Sequence, residues 1–311
     1  MQVQSIFQTI TMTCALLCGA TAPAKAADLP CDRACLLEIG DNYLNALTFK
    51  DKTQLAGSLS PAVRITENGE PVALGDGVLW TTVSGFPVRQ SFSDPVTGNY
   101  VLFAVARDGT GQRAQVGLRL KIENRKITEI ESIVIRKGEH SLFEGGEPPA
   151  MLPLWSAPVP GSSKATREQL IHLANEYYET LLRGDPKGLF HPDCDRVENG
   201  IQTSNNPSAR GGISCTEGGK GYYAFIKGAR GRRFVAVDEE LGVVVAEAHL
   251  DLPGTVKTLN IRGNTIVLPE RNMVQRSSFV FAAYKVEHGH IKAIMARVRE
   301  EPYLNSTVWD R

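Results

Sequence analysis

The sequence has no surplus of either charge: Lys+Arg and Asp+Glu are both 34 in 311 residues, net zero with His neutral. That removes the global electrostatic case for nucleic acid or an anionic membrane surface as a partner. Beyond the N-terminal segment no apolar run approaches the roughly 20 residues of a membrane-spanning helix. A His-Glu-x-x-His pair, a Gly-x-Ser-x-Gly elbow, a Walker loop and a dinucleotide glycine motif are all missing. The expectation is therefore chemistry without metal or cofactor. Hydrophobic residues at 42% and charged residues at 22% are ordinary globular values and exclude a fibrous or disordered chain. The length allows two domains, at roughly 100–200 residues each.

The first 26 residues read as a secretory leader. Ile10 to Ala20 is a short apolar stretch, and Ala24-Lys25-Ala26 has the small-x-small form of a cleavage site. The expected location is periplasmic or extracellular. Cys14 and Cys18 leave with the leader, so Cys31, Cys35, Cys194 and Cys215 remain. An even number in an exported chain points to disulfides, with three connectivities open. Cys31 and Cys35 lie four apart at a helix start, about 6 Å between Cα atoms and within bridging range. Cys194 and Cys215 bracket one loop. The local pairing Cys31–Cys35 and Cys194–Cys215 is expected over a zinc site, for which no His stands at ligand spacing.

An internal repeat organises the rest. Leu36 to Gly69 and Leu170 to Gly200 each carry a helical pattern with Tyr at one place, Tyr43 and Tyr177. Each then has Asp where the helix stops, a basic residue, and Glu-Asn-Gly, Glu67-Asn68-Gly69 and Glu198-Asn199-Gly200. Phe92 to Gly98 matches Val235 to Gly242 as a hairpin turn, and Leu120 to Glu123 matches Tyr284 to Glu287. A Pro-rich stretch separates the halves. The division is leader 1–26, first unit 27–136, linker 137–165 and second unit 166–311. Leu36, Ile39, Tyr43 and Leu47 recur at helical spacing, and the alternating segments after Glu-Asn-Gly read as half-buried antiparallel strands. The fold class is α+β: two tandem units, each a helical segment packed on a curved antiparallel sheet.

This pattern resembles the nuclear transport factor 2-like, or SnoaL-like, α+β cone. The carrying residues are the helix with Tyr43, the Arg64-to-Gly69 hairpin, Leu74 to Trp80, and Arg119-Leu120-Lys121. The resemblance spans about 31–136 and 166–300 and is closest to a secreted branch that occurs single or in tandem. It implies an apolar conical pocket and, in many members, cofactor-free acid–base chemistry; it fixes no reaction.

The strongest local signal is Val243 to Asp251. Strand alternation puts Glu247, His249 and Asp251 on one face, against Phe103, Val105 and Arg107 in the first unit. Histidine suits general-base work near neutral pH, so this stripe is expected to line a pocket of the second unit, with Tyr177 and Glu198 nearby. The competing reading is the solvent face of an edge strand. Asn-Gly is explained by the turn alone, while Glu67 or Glu198 in a dry cone mouth would serve as acid or base. Tyr43 and Tyr177 are core residues or donors into the cavity. Trp80, Arg119 and Arg297 complete the expected substrate-binding set, the two arginines facing solvent or a substrate anion. Lys227 to Arg233 reads as a solvated basic loop able to guide a carboxylate or phenolate.

These residues lead to an expected function. It is an exported, cofactor-independent acid/base lyase or hydrolase on a small apolar, aromatic molecule, with ether or C–C cleavage of lignin-derived aromatics its most specific form. The alternative is a non-catalytic ligand-binding or homodimerising cone. An open cone favours the first or a binding role; a filled cone favours a structural one.

Overall fold

The structure, a computed structural model, describes residues 30–140, 152–208 and 212–310. The expected leader lies outside the described residues. In the first unit Asp32 accepts from the Cys35 N–H and opens α1 (Arg33–Phe49), which Lys50 ends at φ 59°. Its buried stripe includes Leu36, Tyr43, Leu44 and Leu47. Then come β1 (Leu59–Glu67), β2 (Glu70–Pro71), the single-turn α2 (Val78–Thr82), β3 (Val83–Asp94), β4 (Asn99–Asp108), β5 (Arg113–Glu123) and β6 (Lys126–Arg136). They form one sheet in the order β2-β1-β6-β5-β4-β3. All neighbours are antiparallel except β1 and β6, which run parallel.

The second unit repeats this plan. α3 (Arg167–Arg183) starts at a capping box made by Thr166 and Gln169 and stops at Gly184 in the left-handed region. β7 (Phe190–Glu198), β8 (Ile201–Gln202), β9 (Gly228–Asp238), β10 (Val243–Leu252), β13 (Arg276–Glu287) and β14 (His290–Glu301) form a sheet in the order β8-β7-β14-β13-β10-β9. Between β8 and β9 the short α4 (Cys215–Glu217) replaces α2. Between β10 and β13, where the first unit has only residues 109–112, residues 253–275 add a hairpin of β11 (Thr258–Ile261) and β12 (Asn264–Val267). In both units Asn-Gly takes positive φ: Asn68 54°, Gly69 84°, Asn199 46°, Gly200 87°. The asparagines also stitch the first strand to the last, since Asn68 Oδ1 accepts from Val134 N and Asn199 Oδ1 from Val298 N.

Each sheet has one face against its own helix and the other against the sister sheet. Phe92, Phe103, Ile133 and Trp155 pack on Val243, Val245, Phe281 and Met295 between the sheets. Phe103 and Phe281 lie 5.1 Å apart by ring centroids. Burying each ring contributes about 2–3 kcal/mol, and their pairing about 1 more. A Cβ on Gly117 would lie 2.6 Å from the Phe281 ring, so glycine here sets how closely the sheets approach. Trp155 and Val159 of the linker are buried as well. The C-terminal segment returns to the first unit, where Trp309 Nε1 donates to Thr66 Oγ1 at 2.9 Å. The two sheet faces thus pair within one chain.

Candidate functional site

Alternation along β10 holds as expected, but the polar stripe faces the other way. Val244, Ala246, Ala248 and Leu250 join the core against α3, whereas Val243 and Val245 join the layer between the sheets. Glu247 and His249 share the parity of Val243 and are each 1% exposed. They lie outside the second unit's own cavity and outside solvent as well, correcting both readings of the stripe. His249 Nδ1 is 2.5 Å from Glu301 Oε1, its Nε2 is 3.0 Å from Asp310 Oδ2, and its ring stacks on Phe279. Glu247 accepts from Arg233 at 2.6 Å, and Arg233 also donates to Glu131 of the facing sheet at 3.0 Å. Burial and then the nearby Glu131 push the Glu247 carboxyl well above the ordinary range, against the pull of Arg233 and Arg119.

The two late arginines are consumed in the same layer, meeting neither solvent nor a substrate anion. Arg119 bonds Glu131, Glu129 and Asn99. Trp309 lies under Arg64, with Arg119 and Arg233 also over its ring. Arg297 is fully buried and donates to the carbonyls of Val116 and Ala104 across the interface. The run Lys227 to Arg233 is no solvated loop either. From Gly228 onward it is the first half of β9, and Arg230, Arg232 and Arg233 are paired with Asp251, Glu179 and Glu247.

The first cone is filled. Glu67 accepts from the Val78 and Leu79 N–H groups at 3.0 and 2.8 Å and so caps α2. α2 brings buried Leu79 and Trp80 inward, and Trp80 stands edge-on to Tyr43 at 6.2 Å. The void left beside Tyr43, Glu67 and Trp80 is about 30 Å³. Burial, aided by Glu67, pushes the Tyr43 phenol up. Tyr43, Glu67 and Trp80 thus meet, as a plug.

The second cone is open at the same end. A cavity of about 440 Å³ lies between Leu250, Leu252, Val280 and Val298 of the sheet and Leu259, Ile266 and Leu268 of the inserted hairpin. Its buried end carries Arg196, Glu198 and Tyr223. Arg196 donates to Glu198 at 2.9 Å and to the Tyr223 hydroxyl, and its guanidinium lies 4.9 Å from the Tyr223 ring. Burial opposes the Arg196 charge, but Glu198 and the surrounding phenols outweigh it and hold the guanidinium protonated. Arg196 Nε is buried with no hydrogen-bond partner among the described residues. Behind it stand Tyr177, Tyr178 and Tyr284, with Tyr177 and Tyr284 ring centroids 5.0 Å apart. Burial pushes the Tyr177 phenol up, so it stays a neutral donor. Glu198 lines this cavity and Tyr177 stands behind Arg196, whereas Glu247 and His249 lie in the layer between the sheets.

Both expected disulfides, Cys31–Cys35 and Cys194–Cys215, are present. The second joins β7, two residues before Arg196, to α4, whose continuation through Gly218 and Gly219 delivers Tyr223. Sequence reasoning missed Arg196, Tyr223 and the inserted hairpin. A signal for the first existed: counting back from Glu-Asn-Gly sets Arg196 against Ile65, a gained charge on the inward face.

Residues 163–298 match a family model described as "Domain of unknown function (DUF8021)". No curated protein matches the chain. Among solved structures, a de novo designed curved-sheet protein is similar at TM-score 0.28 and 18% identity, covering 43% of this chain and 88% of that one. AclR of Streptomyces galilaeus, assigned as a hydroxylase, is similar at TM-score 0.27 and 15% identity, covering 34% and 82%. A protein of Kribbella flavida assigned as a ketosteroid isomerase is similar at TM-score 0.26 and 13% identity, covering 41% and 92%. Among the described residues no group of three or more His, Cys, Asp or Glu could hold a metal, and no helix is long and apolar enough to cross a membrane.

Proposed function

We propose that this protein is exported and binds a small, largely apolar molecule in the cavity of the second unit, where acid–base chemistry takes place. Arg196 and Tyr223 steady an acceptor oxygen of the ligand, and the adjacent Glu198 moves a proton. The observation that carries this reading is the buried Arg196–Glu198 ion pair, with Tyr223 beside it, at the inner end of a cavity of about 440 Å³ within the usual ligand-site range of about 300–1,000 Å³. Both disulfides support an oxidising compartment. A lyase or hydrolase step, including ether or C–C cleavage of lignin-derived aromatics, falls within this proposal. A second reading, binding without turnover, is favoured by the Glu198–Arg196 ion pair itself, since a carboxylate so held suits orientation as well as proton transfer.

The test uses the purified chain without added cofactor and a panel of aromatic and alicyclic ketones, ethers and esters. Binding is read by calorimetry and turnover by mass spectrometry. Glu198→Gln should leave binding in place and lower turnover by about 10²–10⁴. Binding with no turnover anywhere in the panel selects the second reading. No binding to any member rejects both.

A further inference from the structure

The concave face of the second sheet is built in levels, and one of them carries a hydroxyl. Glu198 pairs with Ala296, and Ala296 with Ala282, which sets the inner level. Val280 and Val298 form the next level toward the mouth, and Leu250, Ser278 and Glu300 the one after. Ser278 thus stands four residues along its strand from the level of Glu198, ~13 Å at the usual strand rise. It lines the cavity at 7% exposure, and its hydroxyl has no hydrogen-bond partner among the described residues. Unlike Arg196 Nε, that hydroxyl is not sealed off from the cavity.

The first unit shows what this position carries where there is no space to line. Ala114 stands six residues before Leu120, as Ser278 stands six before Tyr284. Its strand neighbours are Ala106 and Arg136, in the places of Leu250 and Glu300. Leu79 and Val83 help close the space around Ala114 to about 30 Å³. The filled cone has alanine here and the open cone a hydroxyl. A buried hydroxyl without a partner costs free energy, so Ser278 gives the empty fold nothing that alanine would not. The charged side chains beside it, Arg276 and Glu300, are paired with each other at 3.4 Å. A neutral oxygen group therefore suits this level, since it brings in no unbalanced charge.

We infer that Ser278 is a specificity-determining residue of this cavity. It selects an elongated apolar ligand that carries a neutral hydroxyl or carbonyl at each end, one meeting Ser278 and the other the inner end with Glu198 and Tyr223. The apolar body between them lies against Val280 and Val298. This rests on the ligand-binding reading above and names its substrate class. A molecule of the same shape with one oxygen fills the apolar middle equally well and leaves one of the two stations unmet.

Two rigid probes test this on the full chain by equilibrium dialysis at pH 7, where both are neutral: 4,4′-dihydroxybiphenyl and 4-phenylphenol. The parent protein should bind the diol about tenfold more tightly, the scale of one added hydrogen bond. In Ser278→Ala that preference should collapse, whichever way round the mono-ol sits. Thermal unfolding of Ser278→Ala should be unchanged or slightly raised, because the hydroxyl has no partner in the fold. Equal binding of the two probes to the parent overturns the second station and leaves the ligand-binding reading standing. A preference that persists in Ser278→Ala overturns the assignment to Ser278, and so does a lowered melting temperature, which would give the hydroxyl a structural role. If neither probe binds while members of the wider panel do, the elongated two-oxygen class is overturned alone. Silence across both sets removes the ligand-binding reading with it.

Discussion

Asp94 and Asp238 occupy the same turn in the two units, and each is satisfied by the other unit. Asp94 accepts from Arg167 at 2.6 and 3.0 Å and from Val237 N at 2.9 Å. Asp238 accepts from Arg33 at 2.7 and 2.8 Å and from Ser93 N at 3.1 Å. Both arginines are the first helical residue of their unit. The repeat is thus closed by two crossed latches related by an approximate two-fold.

Breaking one latch should weaken the interface on both sheets. Asp94→Ala leaves Arg167 and the Val237 N–H without their acceptor. We predict a loss of about 2–4 kcal/mol in urea unfolding. Burial opposes the Asp94 charge, but the Arg167, Thr97 and Val237 hydrogen bonds outweigh it and hold the carboxyl below its ordinary value. A depressed folded value gives stability that is fully present above about pH 3.9 and is lost as pH falls below it. Asp94→Asn should flatten that acid limb. An acid limb identical to the parent's would contradict the assignment.

Glu247 should act in the opposite direction. Its folded value is raised, so the folded chain keeps the proton longer than the unfolded chain does. Stability is then greatest below the ordinary Glu value, about 4.3, and declines as pH rises toward the folded one. Melting temperatures of the parent should fall between about pH 5 and pH 9, and Glu247→Gln should remove part of that fall. A Gln variant that melts in parallel with the parent across this range would show that Glu247 does not carry the limb.

His249 is predicted to be structural. His249→Ala leaves Glu301 and Asp310 facing a void and removes the stack on Phe279, for a loss of about 2–4 kcal/mol. Once a ligand for the second cone is known, its affinity in this variant, measured well below the melting temperature, should match the parent's. A tenfold change in affinity with unaltered stability would reverse that assignment.

Tyr223→Phe tests the closed end of the cavity. It deletes one hydroxyl that accepts from a buried guanidinium, so a stability loss of about 1–2 kcal/mol is expected. Removing the Cys194–Cys215 bond by a double Ser substitution should cost roughly 3 kcal/mol by loop entropy. It should also loosen the segment that delivers Tyr223, seen as faster amide exchange from Cys215 to Tyr223. Unchanged exchange there would mean that the disulfide only staples the chain.

The helix, the turns and the repeat register were legible because each depends on local chemistry. Asp32, Thr166 and the two Asn-Gly turns carry their structural reason within a few residues. Which face of a strand turns inward is a non-local fact. Alternation placed Glu247 and His249 together correctly, yet it could not say that the face opposite the helix would be buried by a sister sheet instead of water. Phe103, at the place of Glu247, was the hint, since a large aromatic on a solvated face is unusual. The basic residue before Glu-Asn-Gly misled in a similar way. Arg64 and Arg196 look equivalent but differ by one position, and a shift of one reverses the face. Arg64 therefore stacks on Trp309 outside, while Arg196 enters the cavity. The inserted hairpin had no counterpart in the first unit to reveal it.

Joining the two sheets by residues 137–165 has a consequence for how this interface is maintained and altered. Two separate copies would meet at a rate and extent set by their concentration, whereas tethered partners see an effective concentration on the order of millimolar. Unfolding midpoints should therefore not shift on dilution. A self-complementary dimer also places every substitution on both sides of its axis at once. Here Phe103 and Glu247, or Ile65 and Arg196, occupy one structural position with different side chains. One half can keep a sealed core and steady the assembly while the other trades core packing for an internal space.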